Sequence, residues 1–190
     1  MAKIVVVYHS GHGHTARQAQ AVAEGAQSVS GTEVQRVNVD EIEAHWPTLA
    51  AADGIIFGAP TYMGSLSADF KKFMDASSKV WFTSGWKDKV AAGFTTSASQ
   101  SGDKLNSLIQ LMVFANQQGM IWVGLGLMPG NNSSKGSVND LNRLGSFSGA
   151  MAQANVDQGA DAMLDSDLKT AAHLGRRVAE KAQQFVRGKA

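Results

Sequence analysis

The sequence predicts an α/β fold, a single domain over residues 1–190 built on a five-stranded parallel sheet with helices on both faces. Three observations predict it. Short apolar runs alternate with stretches whose apolar residues recur at helical spacing. Five such runs occur, with crossovers between them long enough to hold a helix. The first run, Ile4-Val5-Val6-Val7-Tyr8, is apolar at successive positions, as in a strand covered on both faces.

Each element follows in order. After Ile4–Tyr8 comes a Gly-containing turn, then a helix marked by Ala16, Ala19, Val22, Ala23, Ala26 and Val29, with Gly31 as its stop. Val34–Val39 alternates as a second strand. Ile55–Phe57 is a third, entered through Asp53-Gly54 and left at Gly58. Leu66, Phe70, Phe73 and Met74 mark the next helix, and Lys89–Thr95 the fourth strand. Leu105, Leu108, Ile109, Met112 and Val113 recur at helical spacing, Gly119 ends that helix, and Met120–Val123 reads as the fifth strand. Residues 126–161 are glycine-rich and weakly periodic, which predicts a long irregular insertion with a functional or interfacial role. A last helix spans about Asp167 to Val186, with Leu168, Ala171, Ala172, Val178, Ala179 and Ala182 inward.

Composition removes several functions. The chain has 190 residues, 44% hydrophobic and 17% charged, enough apolar surface for a core. Its 17 basic and 16 acidic side chains leave a net charge of +1 without long like-charge blocks, which argues against nucleic acid as a partner. There is no cysteine, so disulfides, thiolate metal sites and thiol catalysis are excluded. The apolar start is too short for a signal h-region or a membrane span, so the expectation is a cytoplasmic protein without membrane insertion.

Ligands of open α/β sheets sit beyond the carboxyl ends of the strands, which directs attention to three loops. The first is Ser10-Gly11-His12-Gly13-His14-Thr15, joining a buried strand to a helix. Its glycines let amides converge, the helix N-terminus adds partial positive charge, and two hydroxyls can donate. A Walker loop is excluded, since no Gly-Lys-Ser/Thr follows. A dinucleotide fingerprint through Gly11, Gly13, Ala16 and Asp40, a terminal phosphate monoester and a plain turn all remain open. The second loop, Ala59-Pro60-Thr61-Tyr62-Met63-Gly64-Ser65, offers an aromatic face to a flat ring. The third, Thr95-Thr96-Ser97-Ala98-Ser99-Gln100-Ser101-Gly102, is small and polar, so its backbone can approach a planar ligand. His9, His12 and His14 have no adjacent carboxylate and predict no metal. Neither Ser10 nor Ser97 stands in a G-x-S-x-G elbow.

Taken together, Ser10-x-x-Gly13-x-Thr15, Gly58-Ala59-Pro60-Thr61-Tyr62 and Phe94-Thr95-Thr96-Ser97 make the chain resemble the flavodoxin-like NAD(P)H:quinone oxidoreductases, the tryptophan-repressor-binding-protein-like flavoproteins. The resemblance covers residues 1 to about 125 well and the C-terminal helix more loosely. It implies a flavodoxin-like fold, one non-covalent FMN, NAD(P)H as co-substrate and a quinone or similar electron acceptor. It further implies a homo-oligomer, a dimer of dimers with active sites at subunit contacts. By position, Ser10–Thr15 would hold the phosphate, and Pro60, Thr61, Tyr62, Met63 and Gly64 would flank the ring. Thr96, Ser97, Ala98, Ser99, Gln100 and Ser101 would line its pyrimidine side and ribityl chain. Trp81, His12 and Gln118 would face substrate, and the chemistry would belong to the flavin, with no catalytic side chain. The chain departs from the family at three places: His12 replaces a tyrosine, Gln117-Gln118 replaces part of a His-His-Gly, and residues 145–150 replace a Pro-Tyr-Gly-Ala stretch. An electron-carrier flavodoxin and a non-catalytic FMN-binding protein are the competing readings. Trp81, Phe82, Trp86, Met128 and Phe147 are the expected exposed contacts of an oligomer.

Overall fold

A computed structural model describes residues 1–188. The chain runs through β1 (Ala2–Tyr8), α1 (His14–Gln27), β2 (Thr32–Asn38), a 3-10 segment (Val39–Ala44), α2 (Trp46–Ala51), β3 (Gly54–Tyr62) and β4 (Ser65–Leu66). It continues through α3 (Ala68–Ala76), α4 (Ser78–Trp81), β5 (Val90–Ser97), α5 (Lys104–Gln117), β6 (Ile121–Trp122), β7 (Ala150–Gln153) and α6 (Asp165–Gly188). The main sheet is parallel in the order β2-β1-β3-β5-β6. This is the five-stranded, flavodoxin-like doubly wound arrangement that the alternation predicts.

The strands are apolar on both faces because each face is covered. Ile4 and Val6 turn toward α1 and α6, packing with Val22, Ala171, Leu174 and Val178. Val5 and Val7 turn the other way, into a core with Leu49, Phe70, Phe73, Trp86, Leu111 and Phe114. The period-two alternation of a strand thus feeds two separate cores. Trp86, expected at an exposed contact, lies fully buried in the second, its ring within 6.4 Å of those of Trp46, Phe57, Phe73 and Phe114. Trp81, Phe82, Met128 and Phe147 are exposed.

Helices α1 and α6 cross at glycine. A Cβ on Gly25 would stand 1.8 Å from the Ala172 carbonyl oxygen, and one on Gly175 would stand 1.9 Å from that of Val22. The two backbones touch because neither residue has a side chain.

Two expectations change. The fifth position of the sheet is shared by two short strands laid end to end. β6 pairs Val90 and Ala91, whereas β7 pairs Phe94 to Ser97. The segment predicted as an irregular insertion therefore returns to the sheet at Ala150–Gln153. Two alanines, a methionine and a glutamine carry little strand propensity, so only the pairing with β5 makes them a strand. In α5, the buried face is Leu108, Leu111, Phe114 and Ala115, while Leu105, Ile109 and Val113 are exposed.

Candidate functional site

The three loops meet at the carboxyl end of the sheet. Ser10, His12, His14, Thr15, Pro60, Thr61, Tyr62, Thr96, Ser97 and Ala98 line one cleft of about 270 Å³, joined by Ala154 and Val156.

Its first wall is the turn from β1 into α1. Gly13 adopts φ 86°, the left-handed conformation that lets the turn enter the helix directly. The Ala16 amide donates to Ser10 Oγ at 3.1 Å, leaving the serine hydroxyl proton free to point at a ligand. No acidic residue occupies the first turn of α1, so its positive end is uncompensated. No carboxylate lines the cleft either. A Cβ on Gly11 would fall 2.7 Å from the Tyr62 hydroxyl, so the glycine lets that ring lie against the turn. Burial raises the Tyr62 pKa above the ordinary phenol value, opposed by the Gly11 backbone hydrogen bond. Hydroxyls, amides and a helix terminus with no opposing carboxylate fit a phosphate dianion.

The second wall is a hairpin. Thr61 pairs Leu66 and Tyr62 pairs Ser65, so Met63-Gly64 is a two-residue turn. Both residues have positive φ, 49° and 78°. Glycine accepts this readily, but methionine does not, and Met63 stands fully exposed at the tip. The third wall is the end of β5. Thr61 Oγ1 lies 2.8 Å from Thr95 Oγ1 and 2.7 Å from Ser107 Oγ, and Thr95 Oγ1 donates to the Ala59 carbonyl at 2.8 Å. This buried hydroxyl chain locks the second loop to the third. Thr96 Oγ1 donates to the fully buried Gln18, tying the third loop to α1.

Gly11, Gly13, Met63, Gly64, Ser99, Gln100 and Ser101 belong to these loops but not to the cleft lining. Ala154 and Val156, which do line it, carry no sequence signal, because small apolar side chains in a loop announce nothing. The segment holding them is fastened to the turn between β1 and α1 by His14 Nε2, which donates to the Gln158 carbonyl at 2.9 Å. The three N-terminal histidines diverge. His9 contacts Ser67 and Asp69, His12 packs edge-on to Tyr62, and His14 serves Gln158.

Of the residues expected to face substrate, only His12 lines the cleft. Trp81 and Gln118 share a different groove with Met74, Ile109 and Val113. That groove lies toward the far end of α5, whose 14 residues span roughly 20 Å from the end nearest the cleft. Gln118 is buried there, donating to Ser77 Oγ at 2.9 Å.

Comparison with known proteins fits this geometry. Residues 36–132, half of the chain, match the family described as NADPH-dependent FMN reductase. The chain belongs to that family. It is 50% identical over 185 residues to "Flavodoxin FldP" of Pseudomonas aeruginosa (strain UCBPP-PA14), covering 97% of this chain and 99% of the relative. It is 32% identical over 210 residues to an "NAD(P)H dehydrogenase (quinone)" of Aromatoleum aromaticum, covering 99% of each. Among solved structures, a flavodoxin, WrbA-like protein from Agrobacterium tumefaciens is 45% identical with a TM-score of 0.76, covering 97% of this chain and 99% of that one.

Proposed function

We propose that this protein is an FMN-dependent oxidoreductase that takes two electrons from NAD(P)H and passes them to a quinone or similar acceptor. The observation that carries the reading is the cleft itself, where a carboxylate-free anion cradle at the start of α1 adjoins an aromatic hairpin and a small, hydroxyl-rich loop. Family membership and relatives named NAD(P)H dehydrogenase (quinone) support it.

Bound FMN supplies the redox chemistry, for which this cysteine-free chain offers no thiol pair. The protein's part is to bind and orient. Ser10, Thr15 and the amides of residues 11–15 hold the phosphate. Pro60, Thr61 and Tyr62 would border the ring, with Met63 and Gly64 at the hairpin tip outside the lining, and Thr96, Ser97 and Ala98 would face its polar edge. The buried hydroxyl chain holds those two loops at a set spacing, so a planar ligand enters a pre-organised slot. His12, beside Tyr62, faces the substrate side.

Trp81 and Gln118 fit the same scheme through assembly. A second copy of the chain would bring its groove to this cleft, in the dimer of dimers that the family resemblance implies. The exposed apolar stripe of Leu105, Ile109 and Val113 beside that groove supports such a contact. We place the protein in the cytoplasm. Among the described residues no helix is long and apolar enough to cross a membrane.

The relative named a flavodoxin favours a second reading, a dedicated electron carrier. The near-neutral charge of this chain opposes it, since carriers steer by strong charge. Steady-state kinetics with NADH or NADPH and benzoquinone separates the two. Parallel double-reciprocal lines support the reductase. FMN-loaded protein that does not turn over refutes it.

A further inference from the structure

A lysine is buried behind the cleft without a counter-ion. Lys104, the first residue of α5, is fully buried, and its Nζ donates to Ser97 Oγ at 2.7 Å, the Ser99 carbonyl at 2.7 Å and the Gln100 carbonyl at 2.9 Å. All three acceptors are neutral. The nearby charges satisfy each other. Arg143 Nε and its terminal nitrogen reach the two carboxylate oxygens of Asp167 at 2.8 and 2.7 Å, both side chains buried. Asp167 also accepts the Gln153 amide at 2.9 Å, and Gln153 Nε2 reaches the Ala98 carbonyl at 2.9 Å. Asp103, next to the lysine in sequence, is exposed. The ion pair is neutral as a whole, with Asp167 acting on Lys104 more strongly than Arg143 does, so the net charge left beneath the 97–101 loop is that of Lys104.

A buried cation with no carboxylate partner is costly unless something else compensates it. Burial pushes the Lys104 pKa down to about 8, with Asp167 partly opposing the change and Arg143 adding to it. The remaining source of negative charge is the cleft, and Ser97 lines that cleft one hydrogen bond from the ammonium.

We infer that Lys104 is a positioning residue for the flavin. Its three bonds hold the ring-edge loop, and its charge favours the bound cofactor when the ring carries the negative charge of reduction. The inference rests on the FMN reading above. No cation lines the ring side of the cleft, where Thr61, Tyr62, Thr96, Ser97 and Ala98 are neutral, and Lys104 reaches that side through Ser97.

The test is the two-electron midpoint potential of FMN bound to wild type, K104M and K104R, measured from pH 6 to 10. Only protein that has folded and taken up FMN contributes to that potential, so loss of folded material cannot imitate the effect. Below pH 8, K104M should favour oxidised over reduced FMN by a further factor of about ten, which lowers the potential by about 30 mV for a two-electron couple. K104R should keep the wild-type value. The same tenfold coupling raises the lysine pKa by about one unit when the ring is reduced, so wild type should fall toward K104M from about pH 8 to 9 and above while K104R stays above both. Equal potentials in wild type and K104M at every pH overturn the inference. So does a K104R potential as low as that of K104M, which would mark a role that the positive charge does not carry. Wild type that takes up no FMN defeats the cofactor reading as well, whereas wild type that binds FMN with the wrong profile defeats this inference alone.

Discussion

Replacing Gly25 by alanine sets helix propensity against packing, and the geometry decides the sign. In an isolated helix the change gains about 1 kcal/mol. Here the new methyl would stand 1.8 Å from the Ala172 carbonyl oxygen, where ordinary contact begins at 3.4 Å. The obstacle is backbone, so it cannot rotate away, and α1 and α6 must separate by roughly 1.5 Å. That separation loosens Val22, Ala26, Ala171, Leu174 and Val178, all fully buried. Overpacking of this kind costs about 3 kcal/mol, at the upper end of its usual range. The net expectation is a loss of about 2 kcal/mol, or a fall in Tm of about 4–8 °C for a chain of this size. Urea unfolding followed by far-ultraviolet circular dichroism measures it. G175A should behave alike, since its methyl would meet the Val22 carbonyl oxygen at 1.9 Å. Both substitutions force the same separation, so the double variant should lose less than the sum, by at least about 0.5 kcal/mol. If G25A proves as stable as wild type, the close crossing and the reasoning from it are wrong.

Three further outcomes are expected. Asp167→Asn leaves Arg143 buried without its partner and should cost about 3–5 kcal/mol in urea unfolding. In the FMN-free protein, stability should rise between pH 8 and 9.5, because there the unfolded chain still holds the Lys104 proton that the folded chain has released. K104M should lack that rise in pH-dependent denaturation. Met63→Asn places a residue that tolerates positive φ at the hairpin tip, and thermal unfolding should show a gain of up to about 1 kcal/mol.

The alternation of strands and helices was legible because each strand is covered on both faces, so burial wrote itself into Ile4–Tyr8 and Ile55–Phe57 as unbroken apolar runs. The loops were legible for a local reason too. Glycines and hydroxyls immediately after a buried strand can only stand at the sheet's carboxyl end, where ligands sit. What depended on distant partners was hidden. Ala150–Gln153 is a strand because β5 had an unpaired edge there, not because of its own composition. Trp86 could have been a surface anchor or a core residue, and the aromatic cluster around it decided. In α5 the helical spacing of Leu105, Ile109 and Val113 was real, but spacing does not say which stripe faces the sheet.

By itself, then, the sequence determined the doubly wound fold, the three loops that meet at the cleft and the absence of thiol chemistry, since each follows from residues within a few positions of one another. The tertiary structure alone decided that Trp81 and Gln118 lie away from the cleft, that Ala154 and Val156 wall it, and that Lys104 sits beneath it with no counter-ion. The physical reason is common to all three. Burial and charge compensation are sums over everything that surrounds a side chain, and the chain order does not contain those neighbours.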